Sequence, residues 1–599
     1  MTDEYVLVCV AWPYANAEIH QGNVTGSYLP ADIYARFQRL KGNQVLMVSG
    51  SDSHGTPVTV AADEMGKSPA EVFEYYHGRF LELFQQLGLT YDLFTHTDTE
   101  NHHQVSQDLF LSLLNNEYLY RKTTPQMYSP KTGRFLPDRY VEGVCPNCGY
   151  AHARGDQCDN CNTLFESAAE LLNPRSRTDE SALELRDTEH FFLDLPALAE
   201  DGLAAWLNDD NKGHWRPQVL NFARNFVAQG LIGRAVTRDM DWGIDVPAPG
   251  YAGKVLYVWF EAVIGYLSAT IEWARNSGQP DAWRKWWHNP AARTVYFIGK
   301  DNIPFHAIFW PAQLLGARGL YADDPQQHLN LPYDVPANEF MNMEGQKISG
   351  SRKWYVPMLE ALQRYDPDPL RYYLTAVMPE TRDSDWSWQG FVERNNSELV
   401  SNWGNLVNRV LNMVQRYFQG VVPEPGPLTP TDSALLTTID AGFDAVGGYY
   451  DGCKFRAAAQ ELLRLSTLVN QYLEETSPWK TAKSDLAAAG RALHTALQAI
   501  NALKVMWAPI LPFTSQALHE MLGETGTLFG AQKVETYQES TRSHVALTYA
   551  GETAVGAWTG VEIPTGRQLP KPKPLFKQLD ESIVETELSR LTRSEVGRQ

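Results

Sequence analysis

Short apolar runs separated by amphipathic stretches dominate the first half of the chain. Runs of four to six apolar residues predict buried strands at 6–9, 45–48 and 295–298. Apolar positions at helical spacing predict helices at 25–40, 69–86 and 103–115. Strands that alternate with helices usually form a parallel sheet covered by those helices. This part of the chain is therefore predicted to be an α/β domain.

A different pattern begins near residue 385. Amphipathic helices are predicted at 388–418, 433–449, 455–475 and 485–507. Proline-rich breaks at 423–427 and 477–478 separate some of these helices. Long helices joined by short breaks form antiparallel bundles. The predicted fold class is thus a parallel α/β domain followed by an all-α helical bundle.

A long insertion separates the first two predicted strands from the third. The chain has 599 residues, more than one hydrophobic core organises, so several domains are expected. The boundaries that we predict are 1–119 for the first half of the α/β domain, 120–235 for the insertion, 236–330 for the second half, 331–385 for a linker, 386–545 for the helical domain and 546–599 for a tail.

Composition and charge narrow the class of protein. Hydrophobic residues make up 43% of the chain and charged residues 20%, which is ordinary for a globular protein. The sequence has neither an apolar run of bilayer length nor a basic, apolar leader, so we expect a cytoplasmic protein without membrane contact. The net charge of -20 disfavours indiscriminate adhesion to nucleic acid. Specific binding through a local basic patch stays open.

Four of the six cysteines lie close together, in two Cys-x-x-Cys turns formed by Cys145 with Cys148 and Cys158 with Cys161. Two such turns supply the four thiolates of a tetrahedral zinc site. Four protein ligands leave no open coordination position, so one structural Zn²⁺ is predicted. Free thiols and a redox pair are the alternatives, and the doubled spacing disfavours both.

Two distant motifs are candidates for binding phosphate. The first is His20-Gln-Gly22-Asn23, which follows a buried strand and opens a predicted helix, where backbone amides and the helix dipole favour anions. The second is the loop Lys-Ile-Ser-Gly-Ser at 347–351, where a lysine can neutralise a leaving phosphate. Taken alone, the first motif is also explained by a helix-capping histidine, and the second by a solvated basic loop.

Five further segments carry a family resemblance. They are Ala-Trp-Pro-Tyr-Ala-Asn at 11–16, Gly-Ser-Asp-Ser-His-Gly-Thr at 50–56, Lys-Val-Leu-Tyr-Val-Trp-Phe-Glu-Ala at 254–262, Phe-Ile-Gly-Lys-Asp-Asn-Ile-Pro-Phe-His at 297–306 and Asn-Asn-Ser-Glu-Leu at 395–399. With the two motifs and the cysteine cluster, they resemble the methionyl-tRNA synthetases, a family of class I aminoacyl-tRNA synthetases. The resemblance runs from residue 5 to about 510. It implies a split Rossmann-like catalytic domain with a zinc-binding insertion, a stem-contact linker and a helical anticodon-binding domain.

The resemblance also assigns roles around ATP. His20, Asn23 and Lys347 would stabilise charge on the phosphates, and Arg238 would lie near the phosphates or the lysine loop. The residues implied in ATP binding are His20, Gly22, Asn23, Gly299, Lys300, Asp301, Lys347 and Ser349. Asn23 stands where relatives often have a second histidine, and Gly350 where the motif has its second lysine. We hypothesise that Arg352 or Lys353 substitutes for that lysine.

Further residues would bind the amino acid and the RNA. Asp52 would hold the α-ammonium group of methionine. The thioether pocket implied by the resemblance comprises Tyr14, Trp259, Ala262, Tyr266, Phe305 and His306. Val263 replaces a proline common in relatives, which alters the pocket modestly. In the helical domain, Trp479 would stack the first anticodon base, while Asn405 and Arg409 would hydrogen-bond bases.

The resemblance implies a methionine–tRNA ligase that forms methionyl-adenylate from L-methionine and ATP and then charges the 3′ end of tRNA(Met), for initiation and elongation of translation. Mg²⁺ would arrive with ATP, homocysteine would be edited in the synthetic pocket, and we expect a monomer. A paralogue that binds ligand or RNA without charging, which Gly350 favours, and a zinc-ribbon scaffold that binds nucleic acid are the alternatives. Another class I specificity is disfavoured, because the usual large editing insertion is missing.

Overall fold

The computed structural model describes residues 4–137, 140–155, 158, 160–161, 163, 165, 168–177, 179–350 and 352–596, with the backbone alone for 592–596. Its strands are Tyr5–Val10, Gln44–Ser51, Leu93–His96, Leu119–Ser129, Arg134–Phe135, Val141–Val144, Ala153–Arg154, Leu172–Ser176, Glu184–Leu193, Arg234–Ala235, Thr237–Arg238, Val255–Leu256, Arg293–Gly299, Ala337–Asn338, Met341–Met343, Gln346–Lys347, Ser384–Trp386, Ala531–Gln538 and Ser543–Ala550.

The helices are of α type with several π and 3₁₀ turns. The longer ones, joined where successive turns are continuous, are Gln21–Asn23 with Val24–Tyr28 and Leu29–Leu40, Thr56–Met65, Pro69–Leu87, Glu100–Asn115, Leu195–Leu198 with Ala199–Leu203 and Ala204–Leu207, Pro217–Ala228, Val258–Glu261 with Ala262–Ile264 and Gly265–Asn276, Phe305–Phe309 with Trp310–Gly316, Pro367–Ala376, Trp388–Arg394 with Asn395–Gly404 and Asn405–Phe418, Pro430–Asp451, Phe455–Thr476, Leu486–Trp507, Pro512–Met521 and Ser582–Val596. Short turns are Ala168–Glu170, Asp210–Lys212, Arg284–Trp287, Lys300–Asn302, Met358–Leu362 and Pro478–Thr481.

A seven-stranded sheet forms the centre of the catalytic half. Its order is Ala337–Asn338, Arg293–Gly299, Tyr5–Val10, Gln44–Ser51, Leu93–His96, Ser543–Ala550 and Ala531–Gln538. The first five strands are parallel, with Val8 opposite Val295 on one side and Met47 on the other. Apolar residues at consecutive strand positions are buried because helices cover both faces. The predicted parallel α/β sheet with a C-terminal helical domain is confirmed.

The last two strands of this sheet come from far along the chain. The hairpin of Ala531–Gln538 and Ser543–Ala550 adds antiparallel to Leu93–His96, with Leu547 opposite Phe94. The sequence analysis did not anticipate this hairpin or the strand at 93–96. Strand 93–96 has only four residues, too few for a clear pattern. The predicted boundary at residue 545 falls inside the final strand.

The helical domain and the tail both pack onto the catalytic half. Helices Pro430–Asp451, Phe455–Thr476 and Leu486–Trp507 pack against one another around a buried apolar core. The tail returns to the linker, where the buried carboxylate of Glu587 accepts two hydrogen bonds from Arg364, at 2.7 and 2.9 Å. The tail is therefore docked on the body of the protein.

The insertion forms its own small sheets. Leu119–Ser129 pairs antiparallel with Glu184–Leu193, and Val141–Val144 pairs with both Ala153–Arg154 and Leu172–Ser176. The cysteine turns lie next to the second of these sheets, with Cys145 directly after Val144. None of the helices in the described part of the chain combines the length and the apolar character that a bilayer crossing requires.

Candidate active site

His20 caps the helix that follows the first strand. Its Nδ1 accepts hydrogen bonds from the amides of Gly22 and Asn23, at 3.1 and 3.3 Å, and Oδ1 of Asn23 accepts from the amide of His20 at 3.1 Å. Burial lowers the pKa of His20 to about 4, so the ring is neutral near pH 7. Because Nδ1 is an acceptor, the ring proton is on Nε2. The ring thus has one donor left for a ligand.

The two phosphate-binding motifs meet in space. A Cβ added to Gly22 would lie only 2.9 Å from Cδ1 of Ile348, so the lysine loop packs closely against Gly22. The buried side chain of Gln21 ties the same loop down, because its Oε1 accepts from the amide of Val356 at 2.8 Å, 335 residues away in the chain. His20 itself forms a backbone bridge with Pro357. One continuous site is therefore built from both motifs.

Lys347 lies on a tight hairpin between Met341–Met343 and Gln346–Lys347. The turn places Gly345 at φ +73°, a left-handed conformation that favours glycine, and the carboxylate of Asp385 accepts from the Gly345 amide at 2.9 Å. The side chain of Lys347 is exposed. Of the two candidates for the missing lysine, Arg352 turns back and donates to the carbonyl of Lys347 at 3.3 Å. Ser351 lies outside the described residues.

The residues expected around the ribose and phosphates follow the strand that ends at Gly299. A Cβ on Gly299 would meet open space. Burial raises the pKa of Asp301, and the charges of Lys300 and Lys347 act against that rise, which places Lys347 near this carboxylate. The Lys300 ammonium is bound to Glu339 at 2.8 Å and Asp383 at 2.9 Å. Lys300 therefore serves ion pairs within the fold. Ser349 pairs through its backbone with Trp354 in the lysine loop.

A group of aromatic side chains, here called the aromatic pocket, includes Tyr14, six residues before His20. Trp259 stacks on Phe305 with ring centroids 4.1 Å apart and meets the edge of Tyr14 at 6.0 Å. All three side chains are only partly buried, as is Ala262, so they face accessible space. Tyr14 connects this pocket to Asp52, because the backbones of these two residues form a parallel β-bridge. The structure thus brings these predicted residues together.

Tyr266 and His306 form the buried floor next to that stack. The Tyr266 hydroxyl lies 2.7 Å from Nε2 of His306, and Nδ1 of His306 lies 2.9 Å from the carbonyl of Asn302. Burial lowers the pKa of His306 to about 4, which keeps the ring neutral. Nδ1 therefore donates to the carbonyl and Nε2 accepts from the tyrosine. With these bonds made, the pair presents a mainly apolar surface.

Asp52 belongs to a buried network of ionisable groups. Its Oδ1 accepts from the amide of His54 at 3.3 Å, and Nδ1 of His54 lies 2.8 Å from Glu261. Burial raises the pKa of Asp52 well above its usual range, the Glu261 carboxylate raises it further and His54 opposes both. Burial acts to lower the pKa of His54, but Glu261 and Asp98 outweigh it and raise that pKa to about 10. A positively charged ammonium group bound beside Asp52 would therefore lower the pKa of Asp52 and favour its ionised form.

Arg238 lies beside the strand that leads to Trp259. It sits in the short strand Thr237–Arg238, opposite Val255. Its guanidinium donates to the carbonyls of Ala235 and Thr237 and stacks over the ring of Tyr257 at 3.8 Å. These contacts place Arg238 beside the segment that leads to Trp259.

The four clustered cysteines also come together in space. Their sulfurs all lie within 4.8 Å of one another, with 3.7 Å from Cys145 to Cys161 and 3.6 Å from Cys148 to Cys158. These distances are far longer than the S–S bond of a disulfide, about 2.05 Å. Four thiolates about 2.3 Å from a tetrahedral zinc are about 3.8 Å apart. The cluster therefore fits zinc.

A second group with metal-ligand chemistry consists of His54, Asp98 and His103, whose ligand atoms lie within 4.8 Å of one another. The guanidinium of Arg542 is already 2.5 Å from Asp98. Metal ligands must be deprotonated, whereas His54 holds its proton between Glu261 and Asp98. These residues form an ion-pair network.

The predicted RNA-binding residues lie on helices Asn405–Phe418 and Pro478–Thr481 of the helical domain. The guanidinium of Arg409 lies 5.0 Å from the ring of Trp479 and is paired with Glu474 at 2.8 Å. Asn405, four residues earlier on the same helix, is exposed. The structure thus brings an aromatic ring, a guanidinium and an amide onto one surface.

Several functional candidates escaped the sequence analysis. Gln21 holds the lysine loop, and Glu261 joins His54 to His102 through two contacts of 2.8 Å. A local signal existed for each, since Gln21 lies inside the first motif and Glu261 lies between Trp259 and Ala262. Their partners lie far away in the sequence, so no local pattern identified the contacts.

Comparison with known proteins agrees with this geometry. Residues 6–411 match the family model for class I tRNA synthetases (M), and residues 422–547 match the anticodon binding domain of methionyl tRNA ligase. The chain is 53% identical to the methionine–tRNA ligase of Thermomicrobium roseum, with 98% of this chain and 99% of the relative covered. It is 51% identical to that of a Roseiflexus species, with 98% of each covered.

A solved structure is similar as well. The methionyl-tRNA synthetase of Mycobacterium tuberculosis in complex with methionyl-adenylate superposes with a TM-score of 0.74 at 26% identity, covering 96% of this chain and all of that one. With both motifs in one site and relatives matched along nearly its whole length, this chain belongs to the methionyl-tRNA synthetase family of class I aminoacyl-tRNA synthetases.

Proposed function

We propose that the protein activates L-methionine with ATP to form methionyl-adenylate and transfers the methionyl group to the 3′ end of tRNA(Met), for both initiation and elongation. The observation that carries this proposal is the meeting of the His20 motif with the lysine loop, where Ile348 approaches Gly22. Tyr14, only six residues before His20, faces Trp259 in the aromatic pocket. A nucleotide site and an amino-acid site therefore adjoin.

In activation, the carboxylate of methionine attacks the α-phosphate, which gains negative charge. The Nε2 proton of His20 and the amide group of Asn23 are the donors for that charge, since Nδ1 of His20 and Oδ1 of Asn23 are spent on the helix cap. Lys347 faces the pyrophosphate that leaves. Arg352 supports the loop through the Lys347 carbonyl and supplies a second cation in place of the motif's second lysine, where this chain has Gly350.

Methionine is selected by shape and polarizability. Its sulfur gains from contact with the aromatic rings of Tyr14, Trp259 and Phe305, and the pair of Tyr266 and His306 closes the pocket. Asp52 binds the α-ammonium. Homocysteine differs by one methyl group, which a pocket discriminates by only about 10- to 200-fold. Editing of homocysteine within the same pocket is part of the proposal.

The four cysteines would hold one zinc, which fixes the insertion without taking part in the reaction. Mg²⁺ would enter with ATP. The surface of Asn405, Arg409 and Trp479 would bind the anticodon, with Trp479 as a stacking platform for one base. We propose that one chain works as a monomer in the cytoplasm.

Methionine-dependent ATP–pyrophosphate exchange tests the proposal, followed by charging of tRNA(Met) with each of the twenty amino acids. We expect exchange and charging with methionine. Asp52→Asn should lose saturation by methionine, while Glu74→Gln, an exposed carboxylate on a neighbouring helix, should match the wild type. Absence of exchange with methionine would instead support the non-charging paralogue that Gly350 favours.

A further inference from the structure

The hairpin that extends the catalytic sheet is clamped to it at its tip. The carboxylate of Glu100, at the start of helix Glu100–Asn115, accepts from the amides of Ser540 and Thr541, both at 3.0 Å. In return, Oε1 of Glu539 accepts from the amide of Glu100 at 2.8 Å. The tip therefore has a fixed position relative to the catalytic sheet.

With the hairpin tip held in this way, Arg542 contacts the buried carboxylate of Asp98. Nη1 of Arg542 lies 2.5 Å from Oδ2 of Asp98, and Nη2 donates to the Asp98 carbonyl. Asp98 is almost fully buried. Its other oxygen faces two imidazoles, with Nε2 of His103 at 3.3 Å and Nε2 of His54 at 3.6 Å. Arg542 thus binds one side of Asp98, and His54 and His103 lie against the other.

His54 connects this carboxylate to the amino-acid site. Its Nδ1 lies 2.8 Å from Glu261, and its amide donates to Oδ1 of Asp52. The other Glu261 oxygen is held by His102 at 2.8 Å. The His54 ring therefore lies between the carboxylates of Glu261 and Asp98, and the His54 amide donates one hydrogen bond to Asp52.

We propose that Arg542, on the hairpin of Ala531–Gln538 and Ser543–Ala550, is a positioning residue that acts through Asp98 and His54 to hold Asp52 ready for the methionine α-ammonium. This inference rests on the proposed function, because it uses the role of Asp52. Without Arg542, the side-chain partners of the Asp98 carboxylate among the described residues are the two imidazoles. The 3.6 Å gap to His54 then closes, and the His54 ring and amide shift away from Glu261 and Asp52.

The test measures KM for methionine and for ATP in pyrophosphate exchange with Arg542→Gln, Arg542→Lys and Asp98→Asn. Because Arg542 acts at a distance through two side chains, Arg542→Gln should raise KM for methionine about tenfold, the equivalent of about 1.4 kcal/mol, and leave KM for ATP unchanged. Arg542→Lys keeps the charge and should recover part of the affinity. Lys533→Gln removes an exposed cation from the same hairpin and should have no effect.

Two results would overturn the inference. One is an unchanged KM for methionine in Arg542→Gln; the other is a parallel rise of both KM values together with a lowered Tm, which indicates general destabilisation. A His54→Gln background sharpens the test, because Arg542→Gln should add nothing to it if the effect passes through His54. Failure of exchange in the wild type would count against the proposed function, whereas normal exchange in both wild type and Arg542→Gln would count against this coupling alone.

Discussion

The substitution His20→Asn separates two roles that the His20 ring fills. In the structure, Nδ1 caps the helix by accepting from the amides of Gly22 and Asn23. In the proposed reaction, the Nε2 proton is the donor to the α-phosphate. Asparagine is among the best N-cap residues, but its side chain is too short to place a donor where Nε2 lies. We therefore expect His20→Asn to keep the helix start and to lose the phosphate contact.

The expected magnitudes follow from these contacts. Loss of one donor aimed at developing charge lowers kcat by about 10²–10³. His20→Ala should lose the same factor and also about 1 kcal/mol of stability, because it removes the cap. Pyrophosphate exchange at saturating substrates measures the first effect, and thermal unfolding of the same samples measures the second. Exchange by His20→Asn within a factor of about ten of wild type would refute the role of the ring, since a single donor contributes more.

Wild type and His20→Asn should also differ in how their folding stability depends on pH. Burial lowers the pKa of His20 to about 4 in the folded protein, against about 6.5 in the unfolded chain. The unfolded state binds more protons between these pH values. The stability that the buried, neutral His20 ring contributes is therefore complete above pH 6.5 and is lost as the pH falls towards 4. Wild type should therefore lose more stability than His20→Asn over that range. Parallel unfolding profiles for the two proteins would contradict the assignment.

Three further predictions concern the RNA surface, the metal and editing. Trp479→Ala should lower kcat/KM for charging tRNA(Met) by about 5- to 150-fold, the equivalent of one base stack of about 1–3 kcal/mol, with pyrophosphate exchange unchanged; an equal fall in both assays would contradict the separation of sites. Elemental analysis should find one zinc per chain, and Cys148→Ser should abolish its binding and lower Tm; a metal-free wild type with an unchanged Tm on chelation would argue against the site. Incubation with homocysteine and ATP should release homocysteine thiolactone, and accumulation of a stable adenylate without it would count against editing in the pocket.

Local patterns in the sequence predicted much of the fold. The predicted runs 6–9 and 295–298 are apolar at every position because both faces of the sheet are covered. The helix after His20 begins at Gln21, four residues before the predicted start, because His20 and Asn23 cap each other and extend it. The cysteine turns were also predictable from the sequence, since the two ligands of each pair are only three residues apart.

Contacts between distant segments could not be predicted in this way. Gln21 binds Val356, Arg542 binds Asp98 and Glu587 binds Arg364, and in each case the partner lies hundreds of residues away. The hairpin at 531–550 has residues of mixed character, from which the sequence analysis predicted no strand pair, and no local pattern identifies the sheet edge that receives it. Long-range pairing depends on the whole packed structure, so it emerges only from the coordinates.

The most direct test of the account is a crystal structure with a non-hydrolysable analogue of methionyl-adenylate. The account predicts that Nε2 of His20 lies about 3 Å from an oxygen of the group that replaces the phosphate. It also predicts the α-ammonium at Asp52 and the thioether against Trp259 and Tyr266. An analogue that occupies this region with its phosphate mimic away from His20, or its side chain outside the aromatic pocket, would contradict it.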